Sequence, residues 1–341
     1  MTSLTALMDR LARVPEIEVP RSPALDAGLL DSVRYLGSDA AQRSVEADPY
    51  WPKWDSPWWH YLACLELGEV QRVPARAVSA LLAALQAFPI KVFPFTPADL
   101  PPGCDVHSHV LCHCQLGSVY SMLHAAGVDV ERELPWAASW FVRYQMEDGG
   151  LNCDSDAYLV KDECPSSMVG TVSPLEAMLL GSLEGEHGGF VDRAAAFLIE
   201  RRLMLGSPTQ HNAVERQREP AWLELCFPRF YFYDVLRGLA ALTLWAERRH
   251  QPLPLAAIEP VIEHLLQRFP DGVVQLGRVA GERARTFAFG PSGEKTWHPA
   301  SSFALLEASS RVGSASPALT RQWSATRRRL LALHDAQRIT S

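Results

Sequence analysis

The chain has 341 residues, of which 48% are hydrophobic and 21% charged, and a formal net charge of −7. That composition suits a packed globular protein and excludes a disordered one. The acidic balance argues against a nucleic-acid partner, and the one dense basic run, Arg327-Arg328-Arg329, reads as the solvated face of a terminal amphipathic helix.

Leu4, Leu7, Met8 and Leu11 stand at helical spacing and predict an N-terminal helix, within residues 1–20, that packs outside the rest of the fold. The N-terminus lacks the charged, apolar and small-residue order of a secretory leader, and no stretch approaches the roughly 20 apolar residues of a membrane span. Seven cysteines without an export signal predict free thiols or metal ligands in a cytoplasmic protein.

Strand signals are nearly absent. Helical patterns alternate with proline-rich connections at 24–36, then in WHYLACLEL up to Gly68, then at 75–88 before Pro89. Residues 90–104, with Pro94, Pro97, Pro101 and Pro102, read as a loop. Further helices are predicted at 109–124, 131–145, 174–182, 190–204, 230–249, 255–268, 299–311 and 317–335. Those centred near 62, 116, 177, 238 and 304 are apolar on most faces. Each precedes one with a polar stripe, near 82, 138, 197, 262 and 326. A helix apolar all round is buried on both sides, and an amphipathic one lies at a surface. Alternation at a period of roughly 55–65 residues predicts stacked helix pairs. With the N-terminal helices as a sixth pair, the expectation is one all-α domain over 1–341. It is an (α/α)6 toroid of inner and outer helices around a central cavity, with a linear solenoid as the competing arrangement.

Gln145, Asp148, Gly149 and Gly150 follow an aromatic-rich helix, and Phe269-Pro270-Asp271-Gly272 echoes them. This pattern resembles the repeat turn of the terpenoid cyclase and protein prenyltransferase superfamily. The segment DVHSHVLCHCQLGSVYSML is similar to an inner helix of a prenyltransferase β-subunit. The resemblance implies the toroid and a transferase or a lyase of the cyclase kind. Leu151 stands where that family has Trp or Phe. Asp154-Ser155-Asp156 is the nearest counterpart of the cyclase Asp-x-Asp-Asp acid, and the Asp-Gly-Cys zinc pair is missing from its familiar setting.

The densest group of metal-capable side chains is Cys104, Asp105, His107, His109, Cys112, His113 and Cys114. Thiolate with imidazole suits zinc or another borderline metal. On a helix from His109, Cys112 and His113 share its face, whereas Cys114 is turned about 200° from Cys112 at roughly 100° per residue. The expected ligands are therefore drawn from Asp105, His107, His109, Cys112 and His113, with Cys153 or Asp154 completing the shell. The competing reading is small-residue packing and helix-start hydrogen bonding.

Asp154 and Asp156 point the same way on an extended segment. In a cavity they would split their proton affinities and make a general acid. With His109 they are the candidate catalytic residues, and the bland alternative for the pair is turn and cap formation. Ser173, Pro174 and Glu176 predict a helix start with a capping box. Trp58, Trp59, His60, Tyr231 and Tyr233 are the candidate lining of an aromatic cavity, against a simple role in helix packing. Asp234 and Arg237 read as an i,i+3 ion pair.

Three functions follow. The first is a metal-dependent enzyme, most simply with zinc, acting on a small organic molecule that is isoprenoid or aromatic. The second is a metal-free cyclase or isomerase using Asp154 or Asp156 as acid. The third is a non-catalytic toroid that binds a ligand or protein.

Overall fold

Local signals set most helix ends. Ser22, Ser38, Asp234 and Ser316 each accept a backbone N–H three residues on from their N-cap positions. Gly68 closes its helix in the left-handed region, at φ 75°. The computed structural model describes residues 3–104, 111–281, 284–289 and 294–340. In order the elements are α1 (Ser3–Arg13), α2 (Pro23–Leu36), α3 (Asp39–Ala47), α4 (Trp58–Leu67), α5 (Ala75–Gln86), α6 (His113–Ala125), α7 (Val130–Glu133), α8 (Pro135–Tyr144), α9 (Met168–Met178), α10 (Gly185–Glu200), α11 (Glu219–Trp222) and α12 (Val235–Arg249). Then follow β1 (Leu253–Pro254), α13 (Leu255–Arg268), β2 (Arg285–Phe289), β3 (Lys295–Pro299), α14 (Ala304–Ser309), α15 (Pro317–Asp335) and β4 (Ile339–Thr340). The fold of the described residues is mostly helical.

Five helices present one stripe each to a shared cavity. The stripes are Leu62, Leu65 and Glu66 from α4; Ser118, Ser121 and Ala125 from α6; Ser173, Glu176 and Leu180 from α9 and its end; Arg237, Ala241 and Leu244 from α12; and Gln322, Ala325 and Arg329 from α15. Each stripe runs at spacings of three and four residues, which is one helix face. The helices near 62, 116, 177 and 238 therefore border one cavity. The fifth place differs: α15, expected outside, lines the cavity, and the short α14 packs on α2 instead. Gly28 permits that contact, since a Cβ there would lie 2.7 Å from the Leu305 backbone.

The tightest helix pair is α6 with α9. A Cβ on Gly117 would come within 2.5 Å of the Ser173 carbonyl carbon, so only glycine lets these backbones touch. Pro174 lies inside α9 and does not start it; the helix begins at Ser167, whose hydroxyl accepts the Gly170 amide at 2.9 Å. The predicted capping box at Ser173 is thus replaced: Ser173 meets Ser118 at 2.9 Å, and Glu176 accepts from Arg237. The missing Pro174 donor is tolerated because burial of this face on α6 outweighs one lost helix hydrogen bond.

The Gly-Gly turn after α8 is a packing device. Gly149 has φ 86°, and a Cβ on it would collide with the Arg193 carbonyl of α10. Gln145 secures the turn by donating to the carbonyls of Gly149 and Phe190, at 2.8 and 2.9 Å. Gly272 does the same in the second turn: at φ 81°, its Cβ would fall 2.6 Å from the Pro15 carbonyl oxygen. In both turns the preceding aspartate accepts a nearby backbone amide.

Other elements depart from the sequence reading. Helix α3 was not expected, and β2 and β3 form an antiparallel hairpin in a chain with few strand signals. Phe287 of that hairpin packs on Trp51, with ring centroids 5.2 Å apart. Arg327 is no part of a solvated face; it is 3% exposed and donates to the carbonyls ending α1, including Pro15 at 2.9 Å. Its neighbours pair with Glu16 and Glu247.

Candidate metal centre

Cys112 is the N-cap of α6, with extended backbone at φ −123° and ψ 164°, while Cys114 is already in the first turn. The expected helix from His109 would have turned these two side chains apart. Because Cys112 stands outside the helix, its side chain swings back, and the two Sγ atoms are 3.4 Å apart. Cys153, just after the Gly-Gly turn, reaches the same point and accepts the Cys114 amide at 3.3 Å. The three sulfurs all lie within 4.8 Å of one another. Three thiolates held tetrahedrally at about 2.3 Å from a zinc ion are roughly 3.8 Å apart, so the observed group fits such an ion with adjustments of side-chain size. All three cysteines are free thiols.

The acidity of the group is uneven. Cys112 is pushed well below the ordinary thiol range, first because Cys114 and then Cys153 donate S–H hydrogen bonds to its sulfur. The Gln115 amide adds a further donor, in a reciprocal cap where Gln115 Oε1 accepts the Cys112 amide at 3.3 Å. Cys114 and Cys153 are pushed up, mainly by giving those protons to Cys112. Cys112, at the helix start, is thus the thiol of the three that loses its proton most readily to an arriving cation.

Of the expected ligands, the structure joins Cys112 and Cys153. It adds Cys114, which a regular helix from His109 would turn away from Cys112. It corrects His113, which is fully buried and faces away. Trp140 donates to its Nδ1 at 2.9 Å, so its Nε2–H points to the Tyr158 hydroxyl at 3.0 Å. Burial holds this imidazole neutral, down at about 3. Asp105, His107 and His109 lie outside the described residues. Cys104 is described but is not in the sulfur group.

The sulfurs line a cavity of about 430 Å3, whose other walls include Tyr50, Trp51, Phe93, Phe95 and Tyr231. The ammonium of Lys53 stands among them, 5.8 Å from the centre of the Tyr231 ring and 5.9 Å from that of Trp51. Tyr231 is therefore a wall of this cavity and not of the one shared by the five helices. The other aromatic candidates line neither. Trp58 is 1% exposed and packs edge-on to Tyr50. Trp59 stacks on Trp54 at 3.9 Å and borders a separate cavity of about 230 Å3. His60 bonds Ser32 and lies on Phe303, and burial lowers it to about 4. Tyr233 is buried and donates to the Leu203 carbonyl at 2.7 Å.

Asp154 and Asp156 do not form a carboxylate pair in an enclosed site. Both are exposed, and Asp154 Oδ1 accepts the Asp156 amide at 3.1 Å, making a turn. Asp154 also faces His211 at 3.6 Å and touches only the rim of the sulfur cavity. Asp234 caps α12 through the Arg237 amide, and the Arg237 guanidinium goes to Glu176, so the expected Asp234–Arg237 side-chain pair is replaced. No known family model, curated protein or solved structure matches the chain.

Proposed function

We propose that the chain is a metal-dependent enzyme whose Cys112, Cys114 and Cys153 hold a thiolate-preferring ion, most simply zinc, at the wall of an aromatic cavity. The observation that carries this reading is the convergence of three free thiols, from two separate segments, on one point lining that cavity. Among the described residues three protein ligands converge, and three ligands with a further position for substrate is the pattern of catalytic rather than structural zinc. Such an ion would supply Lewis-acid chemistry to a bound substrate.

The protein groups then have distinct tasks. Trp51, Phe93, Phe95 and Tyr231 exclude water and accept an apolar body, isoprenoid or aromatic. Lys53 offers a cation to a negatively charged group on that molecule. Cys112, the most acidic of the three thiols, gives up its proton first to the ion, and Gln115 fixes its backbone. Alternating helix pairs whose inner faces share a cavity support a closed α/α ring, and with it a transferase or a lyase of the cyclase kind. Among the described residues no helix is long and apolar enough to cross a membrane. Free cysteines fit a reducing, cytoplasmic setting.

The metal-free reading, with Asp154 or Asp156 as acid, has weaker support because both carboxylates face water. Elemental analysis of the purified protein tests the proposal. The expected result is one ion per chain, lost in the Cys114→Ser and Cys153→Ser variants. A folded protein that takes up neither zinc, cobalt nor copper(I) on reconstitution sinks it. A loaded protein that turns over no isoprenoid or aromatic substrate leaves a binding toroid in place of an enzyme.

A further inference from the structure

Thiols that stand together can also react with one another. The Sγ atoms of Cys112 and Cys114 are 3.4 Å apart, and that of Cys153 lies within 4.8 Å of both. A disulfide needs its two sulfurs about 2.05 Å apart on side chains that face each other. Cys112 stands in extended backbone just before α6 and turns its sulfur onto the first turn, so rotation of the two side chains closes the gap to Cys114. Cys153 is engaged differently, by the backbone amide of Cys114 at 3.3 Å.

The group is also within reach of a small oxidant. Cys112 and Cys153 are half-buried, and all three cysteines border the cavity of about 430 Å3, which has ample room for a hydroperoxide. The other thiols lack this arrangement. Cys64 and Cys226 are fully buried, and Cys104 and Cys164 lie outside the sulfur group. Cys112 is the sulfur best placed to attack. It precedes the first turn of a 13-residue helix, where free backbone amides and the helix dipole favour a thiolate.

We infer that Cys112 and Cys114 form a peroxide-responsive switch, closing to a disulfide that takes two ligands from the ion and so releases it. First the Cys112 sulfur attacks one oxygen of hydrogen peroxide. The O–O bond breaks, and the other oxygen leaves as water with the thiol proton. The Cys114 sulfur then attacks the resulting sulfenic acid, the S–O bond breaks, and a second water leaves with the Cys114 proton. Where the metal has already ionised the thiols, the same two oxygens leave as hydroxide. Two sulfurs are oxidised, one peroxide is reduced, and a zinc ion keeps its charge. Cys153 is then the one thiolate left, where zinc sites use three or four protein ligands. A bridge across His113 alone closes a very short loop, so it adds little to stability and stays open to reduction. That suits a switch better than a structural staple. The bridge stands on the sulfur positions alone, and the release step rests on the metal reading.

The test adds hydrogen peroxide to the full chain in two forms, zinc-loaded and stripped by chelator. Remaining thiols are then alkylated, peptides are mapped by mass, and a colorimetric indicator reads free zinc. Both forms are expected to lose two of the seven thiols and two hydrogens of mass, with Cys112 bridged to Cys114 within one chain and dithiothreitol restoring both. The loaded form is expected to lose one zinc ion per bridge formed. The Cys114→Ser, Cys153→Ser double variant has no neighbouring thiol to resolve the sulfenic acid, so peroxide is expected to add oxygen to Cys112 instead. In the parent chain, oxygen added to Cys112 without a bridge, a bridge that omits Cys112 or Cys114, or a bridged chain that keeps its zinc would each overturn the inference. A chain that forms the bridge but never binds zinc ends the metal reading and the release step together, and establishes the bridge by itself.

Discussion

Two cavities sit along the same helices and satisfy their polar groups in opposite ways. Around the shared cavity, Arg229 and Arg237 are bound on nearly every side by carboxylates, carbonyls and an amide oxygen. Around the sulfur cavity, Cys112, Cys114 and Cys153 have chiefly one another. A buried charge is tolerated only when paired, so the first network is a condition of folding. Thiols stay neutral at little cost, so the second group can wait for its partner. A polar cluster whose members consume one another's bonding capacity supports structure. One whose members converge with capacity left over is where a ligand belongs.

That contrast is testable from its largest consequence down. Arg237→Ala should cost about 3–5 kcal/mol in urea unfolding, because Glu176 and two carbonyls lose their partner in the interior. An Arg237→Met, Glu176→Met double variant should recover much of it, and equal losses in the single and double variants would break the distinction. Chelation, by contrast, should leave the fold intact and lower its stability by up to about 4 kcal/mol, the linkage expected when free metal is near a thousand times its Kd. Cys114→Ser should remove this sensitivity, as read by melting with and without chelator. Gly117→Ala tests the wedge that spaces α6 from α9 beside both cavities. It should cost about 1–3 kcal/mol by overpacking and also weaken metal retention.

The smallest effect lies beside the aromatic wall and has two opposed signs. His60 is lowered by burial to about 4. Its contribution is present above its unfolded value of about 6.5 and is lost as pH falls toward 4, by roughly 2 kcal/mol at pH 5. Asp48 is raised to about 7, chiefly by burial. Its contribution is present below about 3.8 and is lost as pH rises through 7. Unfolding curves from pH 4 to 8 should therefore tilt one way for His60→Gln and the other way for Asp48→Asn, each relative to the parent. Parallel curves for the two variants would remove both assignments.

Much of the helical order was legible because it is local. Ser22 and Asp234 mark helix starts, Gly68 marks an end, and the period of three to four residues shows which faces are apolar. Helices 75–86, 255–268 and 317–335 match their predicted spans closely for that reason. The Gly149 turn was legible as a turn, although its reason, contact with the Arg193 carbonyl, was not. Cys112 and Cys153 were legible as ligand candidates from residue type and clustering.

What the tertiary structure decided is everything that depends on partners distant in sequence. Starting α6 at His113 rather than near His109 turned Cys114 toward Cys112 and His113 toward Trp140. Burial against α6 carried α9 through Pro174, against its own stop signal. Arg237 found Glu176 on another helix in place of the nearer Asp234. Spacing along the chain determines what one helix can offer on each face. Which face meets which neighbour follows from burying the most apolar surface while pairing every charge, and those pairings, 39 residues apart for Cys114 and Cys153 and 61 for Arg237 and Glu176, exist only in three dimensions.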